Sequence, residues 1–357
     1  MKITIIASFP DLEVFSRLKW LYSLLNKKLE LQLIAITFNN KFDFLLKNIF
    51  ENICIIKYNI NNIITNIKNI VNGDIIYVLK ARTSSFGISI NLKRILNKNI
   101  ILDISDIEKF NCFPYSNNHI KSLFFSFPFL NNPDSYLYTY LTEKRVKFSD
   151  GITVSNSFLQ KIYGGTLIND SCDINLFNKD KYKINEIRQS LKWDKKVIIF
   201  NGHIKNYLDI NIFEYLLKKD LIVVFIGFIE EKIKRLFSRY KNIIIYDYQN
   251  DLNIAKMLSS ADYLVLFRKN LPNSDFKIPI KIYEAMACNL TVITNETNNY
   301  KELFKGNILY ANSYNEVFNI IDNNIKIENS RNFFKDSFSK EEIENKLFSF
   351  ISSCYGT

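Results

Sequence analysis

Residues 261–295, ADYLVLFRKNLPNSDFKIPIKIYEAMACNLTVITN, read as strand, basic loop, proline-started helix and second strand in immediate succession. Residues 263–267 are β-branched and aromatic and predict a strand. The polar loop 268–278 that follows carries Arg268, Lys269 and Lys277. Pro279 stands where a first helical turn tolerates a residue without an N–H, and residues 281–288 are strong helix formers. This is half of a βαβ unit, with cations gathered where a strand ends. In open α/β sheets ligands bind beyond the carboxyl ends of the strands, and a helix N-terminus there favours anions through its free N–H groups and dipole. Glu284 lies about one turn inside the helix, where its carboxylate can accept both hydroxyls of a ribose. The arrangement suggests a nucleotide diphosphate as ligand.

The 357 residues are too many for one ordinary core, and two domains are expected. The net charge of +11 points to anionic partners, among which nucleotide diphosphates, nucleic acid and acidic lipid are all open on charge alone. The five cysteines are odd in number, widely spaced and without a C-x-x-C pair, which argues for a reducing compartment and against a zinc module. Residues 1–9 read as a first strand, not as a signal peptide, and no apolar run approaches the ~20 residues needed to span a bilayer. A cytoplasmic protein is expected, either free or peripheral at the inner face of the plasma membrane.

Strand patterns at 2–7, 31–38, 52–58, 74–79 and 99–104 alternate with helical patterns at 12–28, 63–71 and 89–96. Such alternation implies an α/β fold with a parallel, doubly wound sheet. Two segments, 80–87 and 103–106, fall just after strands on the carboxyl edge. Residues 110–147 break the pattern with Phe124, Phe125, Phe127 and Phe129, then Tyr136, Tyr138 and Tyr140, flanked by Lys and Arg. Aromatic rings beside cations suit a membrane interface or a hydrophobic acceptor; an apolar loop tucked under the sheet is the other reading. The domain boundary is expected within 176–193. The second half repeats the α/β alternation, with strands at 197–202 and 221–227 that each end in glycine. A final amphipathic helix is expected at 340–351.

The pattern Pro279, Lys281, Glu284, Ala285, Met286, Ala287, Cys288, Val292 and Ile293 resembles the donor-binding signature of GT-B glycosyltransferases of the GT4-like class, also called glycosyl transferases group 1. The resemblance implies two Rossmann-like domains facing across a cleft: an acceptor-side domain at 1–176, a nucleotide-sugar domain at 177–339, and a C-terminal helix, 340–357, returning to the first. It implies a retaining transfer of sugar from a nucleotide diphosphate sugar to a hydroxyl of a sugar or lipid-linked acceptor, as in cell-surface polysaccharide or glycolipid synthesis. On this basis Arg268 and Lys281 are assigned to the departing diphosphate and Asp106 to the reacting sugar, with an N-terminal cap on the next turn as the other role open to Asp106. Gly202, His203, Lys205, Tyr248, Phe276, Lys277, Ile278 and Glu284 are assigned to the donor. Three departures stand out. Much of the family has a glutamate at the place of Phe276 and an arginine at that of His203, and many relatives carry a histidine where Ser105 stands.

Competing chemistries leave recognisable spacings. No Asp-x-Asp pair occurs, so the metal clamp of GT-A transferases is missing, and no metal or cofactor is expected beyond the donor substrate. G-x-G-x-x-G, the P-loop and G-x-S-x-G are absent, and the chain has two histidines. Nucleic acid is disfavoured because the positive charge is spread along the chain. The alternative to a transferase is a non-catalytic nucleotide-sugar or anion-binding module that docks on membranes.

Overall fold

The computed structural model describes residues 1–11, 13–112, 119–129, 131–204, 208–269 and 277–355. The chain divides into two units, Met1–Asp170 with Lys340–Thr357, and Ser171–Ser339. Each is an α/β unit built on one parallel sheet, the fold class expected from the alternation of strands and helices.

The first unit holds β1 (Lys2–Phe9), β2 (Glu30–Thr37), β3 (Cys54–Lys57), β4 (Ile75–Leu79), β5 (Asn99–Ile104), β6 (Gly151–Val154) and β7 (Thr166–Leu167). Their spatial order is β3-β2-β1-β4-β5-β6-β7. The strand order reverses between β1 and β4, which is where an open sheet leaves a crevice at its carboxyl edge. Both faces of such a sheet are covered, so β1, β4 and β5 read as nearly continuous apolar runs. One face is closed by the helix Phe15–Leu25, which buries Leu18, Leu21, Leu24 and Leu25. The C-terminal helix Lys340–Tyr355 adds Ile343, Leu347 and Ile351 to the same core.

The second unit holds β8 (Val197–Asn201), β9 (Ile222–Ile226), β10 (Ile243–Tyr246), β11 (Tyr263–Leu266), β12 (Thr291–Thr294) and β13 (Leu309–Tyr310), ordered β10-β9-β8-β11-β12-β13. Its switch point lies between β8 and β11. The opening stretch supplies β11, the helix Ile280–Ala287 and β12, with Tyr263 to Leu266 paired in register to Thr291 to Thr294. Pro279 is the residue before the helix, with φ −72° and ψ 136°. It pre-sets the extended entry and gives up no helical hydrogen bond.

The segment that breaks the pattern forms two short helices, His119–Ser126 and Tyr136–Glu143. Phe124 and Phe125 are 70% and 51% exposed, so the first helix does not tuck its aromatics under the sheet. It buries Ser122 and Ser126 instead, and Ser126 Oγ donates to the Ser122 carbonyl at 2.8 Å. Among the described residues no helix is long and apolar enough to cross a membrane, and all five cysteines are free thiols.

Candidate functional site

At the switch point of the second unit, β8 ends at Asn201, and Gly202 after it faces the first turn of the helix Ile280–Ala287. Asn201 Nδ2 donates to Glu284 Oε2 at 2.7 Å, fixing the carboxylate at the strand edge. Lys281 is buried, and its ammonium lies 3.8 Å from the centroid of the Phe200 ring. Burial pushes the Lys281 pKa down to about 7; Glu284 opposes the shift, and Arg268 and Lys277 add to it. Burial thus brings the titration of this lysine down towards the neutral range.

Close approach of backbone and lysine leaves no room for a side chain at Gly202. Its φ is +116°, and a Cβ there would stand 2.7 Å from Lys281 Nζ. Gly227, after β9, has φ +119°, and its Cβ would meet the Gly202 carbonyl at 2.6 Å. The two glycines let adjacent strands end together with their backbone open to a ligand.

Arg268 is a buried residue just after β11. Its Nη2 donates to the Lys277 carbonyl at 2.6 Å, its guanidinium carbon is 5.4 Å from the Tyr300 ring centroid, and its N–H donates to Asn295 Oδ1 at 3.1 Å. These contacts hold its charge at the strand end. Lys277 and Ile278 are partly exposed beside it. Lys205 and Phe276 lie outside the described residues.

A row of aromatic rings crosses the same edge at the ends of β8, β9 and β10. His203 and Phe228 have centroids 6.3 Å apart, and Phe228 and Tyr248 6.2 Å apart. Phe228 and Tyr248 are 44% and 40% exposed, with their rings tilted 31° to each other, so each offers an open aromatic face on which a planar ring can stack. Sequence reading named His203 and Tyr248 and missed Phe228, although its place directly after Gly227 is the signal that could have found it. Asn201 was missed for a related reason: the last residue of a strand carries no pattern that identifies its partner.

In the first unit Asp106 stands at the carboxyl edge just beyond β5. Its Oδ2 accepts a hydrogen bond from Lys80 Nζ at 2.9 Å, and Lys80 Nζ is also 2.9 Å from Glu108 Oε1. Arg82 Nε donates to Glu108 Oε2 at 2.6 Å. Asp106 does not cap the following turn; that position is Ile107, which makes no side-chain cap. Lys80 itself has φ +70°, a conformation that costs a non-glycine residue energy and that its buried ion pairs hold in place. Beside them Asp134 accepts from Ser84 N at 2.9 Å and from Ser84 Oγ at 2.5 Å. Burial pushes its carboxyl upward, while Arg82 and the two hydrogen bonds from Ser84 pull it back. The result is a buried network of acids and bases at the switch point between β1 and β4.

Residues 183–336, nearly all of the second unit, match the family model for glycosyl transferases group 1. They form a glycosyl transferases group 1 domain. Every described donor candidate, from Gly202 to Glu284, lies within it. The whole chain has the GT-B fold. It is similar to Anabaena HepE solved with UDP-glucose, at TM-score 0.75 and 15% identity over 99% of this chain and 100% of that one. It is similar to sucrose-phosphate synthase from Thermosynechococcus elongatus, at TM-score 0.70 and 12% identity over 100% and 99%. The UDP-GlcNAc 2-epimerase from Neisseria meningitidis, bound to UDP-GlcNAc, has TM-score 0.60 and 13% identity over 98% and 100%. Comparison with curated proteins finds no match. Because an epimerase shares this fold with transferases, the glycosyl transferases group 1 domain and its side chains bear on the reaction more than the fold does.

Proposed function

We propose that the protein is a retaining, GT4-like glycosyltransferase that moves a sugar from a nucleotide diphosphate sugar to a hydroxyl group of a sugar or lipid-linked acceptor. The observation that carries this reading is the convergence of Asn201, Gly202, Lys281 and Glu284 at one switch point within the glycosyl transferases group 1 domain. Similar structures hold UDP-glucose and UDP-GlcNAc. In this reading the base stacks on the Phe228–Tyr248 row, Glu284 accepts both ribose hydroxyls with Asn201 holding its orientation, and the diphosphate lies over Gly202 and the first turn of the helix Ile280–Ala287.

In the reaction the acceptor oxygen bonds to the anomeric carbon while the bond from that carbon to the diphosphate oxygen breaks, its electron pair leaving with the diphosphate. The hydroxyl proton passes to the leaving diphosphate. Negative charge grows on that diphosphate, where Arg268 and a protonated Lys281 stabilise it, and such preorganised electrostatics is the largest contribution a site of this kind makes.

The test is to incubate the protein with a panel of nucleotide sugars and hydroxyl acceptors, following free nucleotide diphosphate and the anomeric configuration of the product by NMR. Acceptor-dependent release with the configuration kept is expected, and it should survive EDTA because no Asp-x-Asp pair is present. Consumption of donor by inversion at C2 without release would make the protein an epimerase. Binding without turnover would leave the non-catalytic module.

A further inference from the structure

The helix His119–Ser126 is built with its apolar side outward. Ser122 and Ser126 are fully buried, whereas Ile120, Phe124 and Phe125 are 75%, 70% and 51% exposed, and Phe129 just beyond is 38% exposed. Ile120 and Phe124 are four apart and share a face, and the rings of Phe124 and Phe125 have centroids 6.1 Å apart. A helix facing only water would do the reverse, because each exposed phenylalanine forgoes the burial that its serines receive. Something apolar is expected to cover this face.

Charge narrows the choice of partner. Lys121 on the same helix is exposed. At the helix start, the His119 ring lies 4.6 Å from that of Tyr140, and Tyr140 carries the ammonium groups of Lys144 at 5.1 Å and Lys109 at 6.0 Å. Lys144, Arg145 and Lys147 are exposed at the end of the neighbouring helix, beside exposed Leu141 and Phe148. Among the described residues of 119–148 both carboxylates are turned inward: Asp134 is buried, and the Glu143 side chain is 7% exposed. Exposed aromatic and aliphatic side chains among exposed cations, with no exposed acid on these two helices, match an anionic bilayer surface, where the rings enter the headgroup boundary and the lysines meet lipid phosphates.

We infer that the face formed by Ile120, Phe124, Phe125 and Phe129, with Lys121 and Lys144 beside it, docks the protein on anionic lipid. The inference stands apart from the transferase reading, since it uses none of the donor residues.

The test is co-sedimentation of the full chain with vesicles of phosphatidylglycerol and phosphatidylcholine, against pure phosphatidylcholine. Binding to the anionic vesicles that falls with salt is expected. Phe124→Ser with Phe125→Ser should weaken it by about tenfold or more, by loss of two inserted rings, while far-UV circular dichroism and the thermal shift with UDP stay unchanged. Lys121→Glu with Lys144→Glu, which leaves the apolar residues in place, should weaken it too and so decides the matter if the first variant does not fold. Absence of binding to anionic vesicles, or equal binding by wild type and both variants, would overturn the inference. So would self-association of the wild type that the Phe124→Ser, Phe125→Ser variant abolishes without any effect of lipid.

Discussion

Lys281 sits in the first turn of its helix with its ammonium over the Phe200 ring, and burial there pushes its pKa down to about 7. A diphosphate placed against it would favour the charged form and raise that pKa, so binding and protonation are linked. Below pH 7 the proton is already present; above pH 7 it must be taken up, and affinity should fall by about tenfold per pH unit until the pKa of the bound state is reached. Calorimetry with UDP at pH 8 in buffers of different ionisation enthalpy should show uptake of about one proton, which Lys281→Met should abolish. The same substitution removes a poorly solvated charge and should leave the folded protein as stable or up to ~2 kcal/mol more stable. A strongly destabilised Lys281→Met would mean that the lysine is structural. Gly202→Ala places a methyl group against that ammonium at a φ of +116° and should weaken UDP binding by about tenfold or more. In the first unit, Arg17 bridges Asp103 at 2.7 Å and Asp170 at 2.9 Å. Arg17→Met would leave fully buried Asp103 without its cation and should cost ~3–5 kcal/mol in urea unfolding.

The C-terminal helix Lys340–Tyr355 buries Leu347 fully in the core that the first unit builds around β1 and the helix Phe15–Leu25. Leu347→Ala should cost ~2–4 kcal/mol, read as a lower urea midpoint at unchanged m-value. Elements of this kind were legible in the sequence because parallel strands covered on both faces spell unbroken apolar runs, as in β5, whose bounds match the expected 99–104. The helix from 280 to 287 was legible through Pro279 and its strong helix formers. The helices His119–Ser126 and Tyr136–Glu143 were not. The apolar residues of the first do not face the core and the second buries Tyr136 with Thr139 and Thr142, so the pattern that announces a buried apolar stripe is missing, and the aromatic run fits a covered loop equally well. The candidate site was legible where one short stretch carried it, as with Lys281 and Glu284. It was not legible where it depends on strands meeting in space: Asn201 reaches a carboxylate 83 residues away, and Asp106 owes its place to Lys80, 26 residues before it.

At the scale of the molecule, two α/β units share one chain with a net charge of +11, and the glycosyl transferases group 1 match falls on the second of them. A nucleotide that binds there at about 100 times its dissociation constant should add ~2.7 kcal/mol to the stability of the state that binds it. Hydrogen exchange should show the added protection at the carboxyl ends of β8, β9 and β11. The claim on which the donor site rests is that Glu284 holds a ribose. Hydrogen bonds to a charged group contribute ~1.5–3 kcal/mol, so Glu284→Gln, which keeps the size and loses the charge, should weaken binding by roughly ten- to a hundredfold. Glu302→Gln, an exposed position on another helix of the same unit, is the control. The decisive measurement is the dissociation constant of UDP by titration calorimetry for wild type and these two variants. A loss at Glu284 alone, with unchanged unfolding midpoints, is predicted; equal affinities across the three proteins, or equal losses in both variants, would contradict the assignment of the site.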